Sequence, residues 1–301
     1  MSDHTPSFMN RRKVLAAGGA GAAAVGLGLA YAATAKADQA QTSASAADTS
    51  ASDDALTLTK ETIEGPYYLD YDLHRVDITE GKQGTPLDLR IQVRNSQDAK
   101  PVSNVAVDIW HCDALGIYSG YEEASAAGSG GSLPSGTPTA QPTAGGSPGM
   151  HEEPDSKTTY MRGFQMTDKD GWVRFRSIVP GWYTGRAVHI HVKVHTKGVL
   201  LNDAYADGTT VHTGQLFFPE DLIDAITKVK PYTSNENPLT TNSSDGIYSG
   251  DTTTDGMLAV SWDKKNAART VKASIRMAVD LDTENDGRSG GMTMPSGSPS
   301  S

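Results

Sequence analysis

Short runs of alternating apolar and polar residues recur through the middle of the chain and predict β-strands. Residues 87–93 place an apolar side chain at every second position, and residues 105–110 do so in part. Residues 172–178 follow the turn-forming segment 168–171, and residues 189–195 alternate in the same way. Because side chains two apart on a strand share a face, this pattern is typical of strands with one face on a core.

Residues 215–218 indicate one more strand, and helix is scarce. The best helical candidate covers residues 219–228, with Pro219 near its start. Several short strands joined by turns rich in Gly, Asp and Pro favour an all-β fold. The pattern therefore predicts an antiparallel β-sandwich with long loops and little helix.

The first 37 residues have the three parts of an export signal. Arg11, Arg12 and Lys13 precede a weakly apolar run rich in Ala and Gly, and Ala35-Lys36-Ala37 gives a small-residue cleavage site. Paired arginines before such a run favour the twin-arginine route, which carries folded proteins. We expect a periplasmic or secreted protein, and the alternative is that the segment stays as a membrane anchor.

Three further segments are of low complexity. Residues 38–55 read as a disordered linker, residues 124–150 as a mobile insertion rich in Gly, Ser and Pro, and residues 285–301 as a disordered tail. What remains of the 301 residues is one domain, predicted to span 56–284 and to contain the insertion.

Charge and cysteine content narrow the choice of partner. The chain has 26 basic and 36 acidic residues, and removal of residues 1–37 would leave a net charge of about −13. Such an acidic protein is a poor ligand for nucleic acid or an anionic membrane. Cys112 is the only cysteine, so no intramolecular disulfide can form.

The candidate chemistry begins on the strand at residues 189–195. His189 and His191 project from the same face and can bind one metal ion together, although such a pair is more often a surface or core feature. His195, two positions further, is expected to be structural or to support a ligand. Upstream, Pro180-Gly181 presents Tyr183, and Arg186 lies three residues before His189.

Taken alone, Tyr183 would more often be a packing residue at a strand end. A second tyrosine, Tyr118, follows a turn at Gly116 in the segment 108–119. A phenol beside a strongly Lewis-acidic metal can lose its proton far below its ordinary pKa of about 10 and become a hard anionic ligand. Tyrosine with histidine suits iron(III) better than zinc, which more usually takes Cys, His or carboxylate.

Taken together, these pieces resemble the intradiol ring-cleavage dioxygenases, the family of catechol, protocatechuate and hydroxyquinol dioxygenases. The resemblance covers about half of the chain and most resembles an exported bacterial branch of the family. It is carried, in chain order, by Glu64-Gly65-Pro66-Tyr67-Tyr68, the segment 108–119, Asp168-x-Asp170-Gly171, Pro180-Gly181-x-Tyr183, Arg186-x-x-His189-x-His191 and Gln215.

The resemblance implies a transthyretin-like (prealbumin-like) sandwich with one iron(III) ion per chain. Tyr118 and His189 would be lasting ligands, while Tyr183 and His191 would be axial, with Tyr183 released when substrate binds. Arg186 and Gln215 would lie beside the bound ring and stabilise its developing negative charge. The substrates would be a small aromatic diol and O2, and the product a muconate-type diacid.

The same resemblance leaves some points open. Only Thr184 and Gly185 separate Tyr183 from Arg186, where familiar members have a longer loop, and residues 192–214 are an expansion. The role of Gln215 is therefore less secure than the ligands. An oligomer is possible, and no stable membrane partner is expected after signal cleavage.

Two other functions remain as alternatives. One is an exported transthyretin-like module that binds a ligand or polymer without catalysis, which would not need all four of the tyrosines and histidines. The other is a zinc or copper hydrolase or oxidase, which lacks an evident third ligand. Residues expected only to pack, or to have no role at a metal, are Trp110, Trp172, His111, Cys112, His74, His151 and His212.

Overall fold

The computed structural model describes residues 59–70, 73–126, 153–248, 250–251 and 255–285. In these residues it contains ten strands, two α-helices and two 3-10 helices. The strands are β1 (Pro86–Asn95), β2 (Ala106–Trp110), β3 (Arg162–Met166), β4 (Trp172–Ile178), β5 (His189–Thr196), β6 (Val199–Leu201), β7 (Ala204–Ala206), β8 (Thr209–Phe217), β9 (Ala259–Ser261) and β10 (Val271–Val279). The helices are α1 (Glu122–Ala126) and α2 (Glu220–Ile226), with 3-10 turns at Tyr232–Ser234 and Asn242–Ser244.

Two four-stranded sheets form the domain, in the orders β4-β1-β10-β9 and β3-β2-β5-β8, and β6 pairs with β7 in a small hairpin. The predicted all-β sandwich with little helix is confirmed. Each predicted strand is present, and α2 begins directly after Pro219 as expected. The sequence pattern did not predict β3, β6, β7, β9 or β10.

One strand pair departs from the antiparallel arrangement. β1 and β10 run parallel, with Leu87 opposite Val271 and Val93 opposite Met277. The last strand enters the sheet between β1 and β9, its antiparallel neighbour. This places the two ends of the domain sequence side by side at the centre of one sheet, which alternation within a strand cannot reveal.

The core lies between the sheets and includes Leu89 and Ile91 of β1, Ile109 of β2, and Ile190 and Val192 of β5, all fully buried. Along β5 the intervening side chains, from His189 onward, point to the outer face of their sheet. That face is also covered, since β5 is buried over almost its whole length. One strand therefore carries both the core and the polar outer face.

The outer face of β5 is covered by residues 59–70. The backbone N–H of Thr62 donates to Thr213 O of β8 at 2.9 Å. Glu64 forms an ion pair with Lys193 of β5, and both side chains are only 5% exposed. These contacts hold the segment across the sheet, so polar side chains beneath it are shielded from water.

The predicted signal at 1–37, the linker at 38–55 and most of the insertion and tail lie outside the described residues. The insertion was predicted to begin at residue 124, but residues 124–126 belong to α1. Asp155 explains this, because its carboxylate accepts from the backbone N–H groups of Glu122 and Glu123, at 3.0 and 2.8 Å, at the start of that helix. Asn285, the first residue of the predicted tail, donates its N–H to Thr210 O at 2.9 Å.

No helix among the described residues has the length and apolar character needed to cross a bilayer.

Buried histidines predict how stability depends on pH. His111 and His212 are fully buried, and burial lowers the pKa of each from 6.5 to about 4. The unfolded chain therefore binds protons more readily than the folded chain once the pH falls below about 6.5. We expect the free energy of unfolding of the metal-free protein to fall by several kcal/mol between pH 7 and pH 4.5, since one pKa unit corresponds to about 1.4 kcal/mol.

Urea unfolding over this pH range measures the effect. His212→Leu should flatten the dependence of the free energy of unfolding on pH. If the free energy of unfolding of His212→Leu depended on pH as steeply as that of the wild type, buried His212 would not be a source of the dependence.

Candidate metal centre

His189 and His191 lie at the start of β5 and project from the outer face of its sheet. Their Nε2 atoms are 3.1 Å apart, and both side chains are buried. His189 Nδ1 donates to the carbonyl of Ala187 at 2.7 Å, which fixes the proton on Nδ1 and leaves the Nε2 lone pair available. The pair therefore presents imidazole nitrogen to a common point.

Tyr183 reaches the same point from the loop between β4 and β5. Its hydroxyl lies 3.3 Å from His189 Nε2. The loop is held from both sides, because Gly181 N donates to Asp113 O at 3.0 Å and Trp182 Nε1 donates to Asn237 O at 2.7 Å. These bonds fix the direction in which Tyr183 projects.

Tyr118 comes from the loop that follows β2. Asp113 Oδ1 accepts from the backbone N–H groups of Leu115 and Ile117, at 2.9 and 3.1 Å, which shapes the turn before it. The N–H of Tyr118 donates to Ser125 Oγ of α1 at 3.1 Å. The Tyr118 ring is fully buried, and its hydroxyl has no hydrogen-bond partner among the described residues.

The two phenols and two imidazoles form one cluster, which we call the Tyr–His cluster: Tyr118, Tyr183, His189 and His191. The ring of Tyr118 lies 5.8 Å from that of Tyr183 and 6.2 Å from that of His191, measured between centroids. A buried hydroxyl without a partner costs free energy, so its presence favours a ligand that the phenol can bind.

Burial controls protonation in the cluster. It lowers the pKa of His189 to about 3, with Arg186 adding to the effect, and lowers the pKa of His191 well below its ordinary value. Both imidazoles are thus neutral and can donate lone pairs. Burial also raises the pKa of Tyr183 to about 12, against the opposing effect of Arg186, and raises that of Tyr118 further. The phenols would ionise only beside a strong cation.

The phenol and imidazole donors of the Tyr–His cluster favour some metal ions over others. Within the described parts of the chain, no three or more His, Cys, Asp or Glu side chains come together to hold a metal ion. The further oxygen donors that lie beside the histidine pair are the phenols of Tyr183 and Tyr118. Phenolate oxygen with imidazole nitrogen fits a hard trivalent ion such as iron(III), and not the usual zinc site.

Arg186 and Gln215 lie beside the cluster. Gln215 on β8 is directly opposite His191 of β5. Arg186 Nη2 donates to Gln215 Oε1, and Gln215 Nε2 donates to Ile63 O at 3.3 Å. The cation and the amide are therefore joined to each other and to the segment that covers the sheet.

Aromatic rings complete the surroundings. Trp110 stacks on His191 with centroids 4.7 Å apart and planes 9° apart, so this buried ring supports a cluster residue and does not lie between the sheets. Trp172 was also expected in the core, but it is only half-buried and lies beneath the guanidinium of Arg90. His195 is outside the cluster, where its Nδ1 lies 3.0 Å from Thr210 Oγ1.

Sequence reasoning missed two residues that shape the site. Arg162 is buried and donates to Ser119 O at 2.6 Å and to Tyr67 O at 2.8 Å, which joins the Tyr118 loop to the covering segment. Asp245 binds Arg186 from a loop without periodic pattern. The position of Arg162 at the start of the short strand β3 could have indicated it. Nothing in the sequence around Asp245 indicated that residue.

Two glycines test how closely the tyrosine loops are packed. Gly116 and Gly185 both have left-handed backbone conformations, with φ of 87° and 84°. A Cβ at Gly116 would lie 2.3 Å from Trp182 O, whereas one at Gly185 would have nothing within 4 Å.

We expect Gly185→Ala to cost about 1 kcal/mol for its backbone conformation alone. Gly116→Ala should cost clearly more and weaken metal binding, because it separates the two loops. Urea unfolding and metal titration of both variants measure this. Equal losses in the two variants would show that the contact between the loops does not matter.

Comparisons with known proteins give the following matches. No family model matches the sequence, and no curated protein sequence shows significant similarity to it. Among solved structures, a crystal structure of a dioxygenase matches with a TM-score of 0.60 and 25% sequence identity, over 77% of this chain and 98% of that one. An intradiol ring-cleavage dioxygenase from Tetranychus urticae matches with a TM-score of 0.59 and 24% identity, over 76% and 98%.

A third match, the dioxygenase domain of a fusion with a carbohydrate-binding protein from Streptomyces sp. SirexAA-E, has a TM-score of 0.46 and 22% identity, over 74% of this chain and 99% of that one. The structural neighbours are thus intradiol ring-cleavage dioxygenases, and the resemblance predicted from the motifs is confirmed. The match to these structures does not test the export signal or a bacterial origin.

Proposed function

We propose that this protein is a non-haem iron(III) dioxygenase that uses O2 to cleave a catechol-type ring between its two hydroxylated carbons, giving a muconate-type diacid. The observation that carries the proposal is the Tyr–His cluster, in which two neutral imidazoles and two buried phenols converge and one phenol hydroxyl has no partner in the described structure. The similarity to intradiol dioxygenase structures supports it.

The residues present fit an iron(III) ion. Tyr118, Tyr183, His189 and His191 would hold it, with the two tyrosinates supplying two negative charges in a buried site. The ion would act as a Lewis acid and template that binds the catechol and makes its ring open to oxygen. The bound metal would also provide the charge that the two phenols need to ionise despite their raised pKa values.

Tyr183 is the ligand that we propose to leave when the substrate binds. Arg186 lowers the pKa of Tyr183 against the effect of burial, so this phenol ionises more easily than Tyr118. On leaving, its Oη would accept one of the two catechol protons, and a solvent-derived hydroxide would accept the other. In Tyr118 the same effect of Arg186 is outweighed by burial and by the neighbouring Tyr183 and Cys112, so its pKa is raised further. The N–H of Tyr118 is also tied to α1, which suits a ligand that stays.

Arg186 and Gln215 would lie beside the ring of the bound catechol. The guanidinium is largely buried, with 14% of the side chain exposed, so its charge is only weakly screened by water. Fixed in this position, it would stabilise negative charge on the substrate as the ring opens. Gln215 would orient the guanidinium and offer an amide to the same edge of the substrate.

Iron loading of the full chain tests the proposal. We expect about one iron per chain, a red-brown tyrosinate-to-iron(III) absorption that shifts when catechol is added without oxygen, and oxygen uptake with ring-cleaved product once air is admitted. A protein that stays colourless and iron-free after reconstitution would overturn the proposal and favour a transthyretin-like binding module.

We also propose that the protein is exported as a folded chain, because of Arg11, Arg12 and the small-residue site ending at Ala37. N-terminal sequencing of exported material should begin at Asp38. Iron-loaded protein found only in the cytoplasm would count against export.

A further inference from the structure

Asp245 is a buried carboxylate outside all the motifs that point to the site. It directly follows the 3-10 helix Asn242–Ser244, and its side chain is completely shielded from solvent. A buried carboxylate is stable only with cations or several hydrogen-bond donors around it. Its partners therefore show what it is built to hold.

Four donors converge on this one carboxylate. Oδ2 accepts from Arg186 Nε at 2.9 Å and from the backbone N–H of Ala187 at 2.6 Å. Oδ1 accepts from the backbone N–H groups of Ile247 and Tyr248, at 2.7 and 3.1 Å. The last two fix the carboxylate within its own loop, so the orientation of Oδ2 is set before it binds Arg186 and Ala187.

Oδ2 acts on the site through two routes. Through Nε it holds the plane of the Arg186 guanidinium, whose Nη2 donates to Gln215 Oε1. Through the N–H of Ala187 it holds a residue whose own carbonyl, in the next peptide group, accepts the Nδ1 proton of His189 at 2.7 Å. One oxygen atom thus touches the residues on either side of a single peptide bond, one a cation and the other the support of an imidazole.

From this arrangement we infer that Asp245 is a positioning residue, which sets the direction of the Arg186 guanidinium and the ring of His189 for the reaction. The inference rests on the proposed function for its effect on catalysis, but the positioning itself does not depend on iron. Within the described residues no hydrogen bond joins Asp245 to the four cluster residues, so its positioning effect passes through Arg186 and Ala187.

The metal-free protein tests the positioning directly. In 1H–15N spectra of the full chain, we expect the Arg186 Nε–H to give a resolved signal that exchanges slowly with solvent at neutral pH. Asp245→Asn should shift this signal and speed its exchange by at least about tenfold. Asp255→Asn is the matched control, since Asp255 is another buried carboxylate nearby that lies 3.5 Å from Lys60, and it should leave the signal unchanged. An Arg186 signal unaffected by Asp245→Asn would overturn the inference.

The iron-loaded protein tests the consequence. Loss of a residue that orients a site typically costs 10- to 100-fold, so Asp245→Asn should raise the dissociation constant of 4-nitrocatechol, measured by absorbance without oxygen, and lower kcat/KM for catechol by about that factor. Because one of the two routes passes through Arg186, the double variant Arg186→Gln/Asp245→Asn should lose clearly less than the product of the two single losses. Fully additive losses, or unchanged binding and turnover in a folded Asp245→Asn, would overturn it.

The two proposals can fail separately. A wild-type protein that takes up iron but neither binds 4-nitrocatechol nor consumes oxygen with catechol would refute the proposed function. The Arg186 signal would still decide whether Asp245 positions that guanidinium.

Discussion

Tyr118→Phe should abolish ring cleavage while leaving the fold at least as stable as before. The substitution removes the buried oxygen that we propose as a lasting ligand of iron. We expect kcat/KM for catechol to fall by more than about 10³-fold, beyond the 10- to 100-fold typical of residues that only orient a ligand. The tyrosinate-to-iron absorption should weaken in parallel.

The stability part of this prediction is unusual for a fully buried residue. Phenylalanine keeps the ring, which packs 4.9 Å from Tyr67 and 5.8 Å from Tyr183, and removes a hydroxyl that has no partner in the described structure. The metal-free variant should therefore unfold at the same urea concentration as the wild type, or at a higher one, by up to about 1 kcal/mol.

Tyr67→Phe is the matched control, because Tyr67 is a buried tyrosine of the same aromatic group. It should keep both iron and activity. If Tyr118→Phe retained its iron absorption and turnover, the assignment of Tyr118 as a ligand would be wrong. If it instead failed to fold without metal, the hydroxyl would have a structural role that its surroundings do not indicate.

Of the variants proposed for this protein, Lys193→Met should lower the free energy of unfolding most. Lys193 and Glu64 form an ion pair with both side chains 5% exposed, and the lysine ammonium also lies 3.9 Å from the centre of the Tyr68 ring. Removing the cation leaves a buried carboxylate without its neutralising charge, which typically costs about 3–5 kcal/mol. Urea unfolding at pH 7 measures the change.

The double variant Glu64→Gln/Lys193→Met should recover most of that loss, because neither charge then remains buried. Lys100→Met, at an exposed pair with Asp98, should change little and serves as the control. Equal losses in the single and double variants would show that packing of the lysine stem, and not charge, is what the site requires.

The ion pair also bears on the site. A Cβ at Gly65, the residue after Glu64, would lie 3.4 Å from Cε1 of His191, so the covering segment runs directly over this imidazole. Displacing it would open the Tyr–His cluster to water. We therefore expect Lys193→Met to lose catalytic efficiency as well as stability.

Much of this arrangement could be predicted from local sequence. Alternation located β1, β2, β4 and β5, because each has one face on the core. The two histidines on β5 and the tyrosines after the turns at Gly116 and Gly181 could be selected as candidates from local spacing. The resemblance to the intradiol dioxygenases then implied that these four act together.

The rest depends on contacts between residues far apart in the chain. The nine residues of β10 alternate like the other strands, yet nothing local indicated that β10 pairs in parallel with β1. Asp245 and Arg162 act through hydrogen bonds to loops far from them in sequence. Asp245 lies in an irregular segment with no periodic pattern to mark it, and Arg162 begins β3, a strand that the sequence pattern did not predict. Trp110 was correctly expected to be buried, but its face of the sheet could not be read from the pattern.

The parallel pairing of β1 with β10 has a consequence for biosynthesis. The sheet that carries the histidines is complete once β8 has been made, whereas the opposite sheet lacks its central strand until residue 279 has left the ribosome. Until then β1 presents an open edge and the half-made core stays exposed, a state prone to aggregation. Pairings between distant strands also form slowly, so the nascent protein should depend on chaperones until its last strand is released.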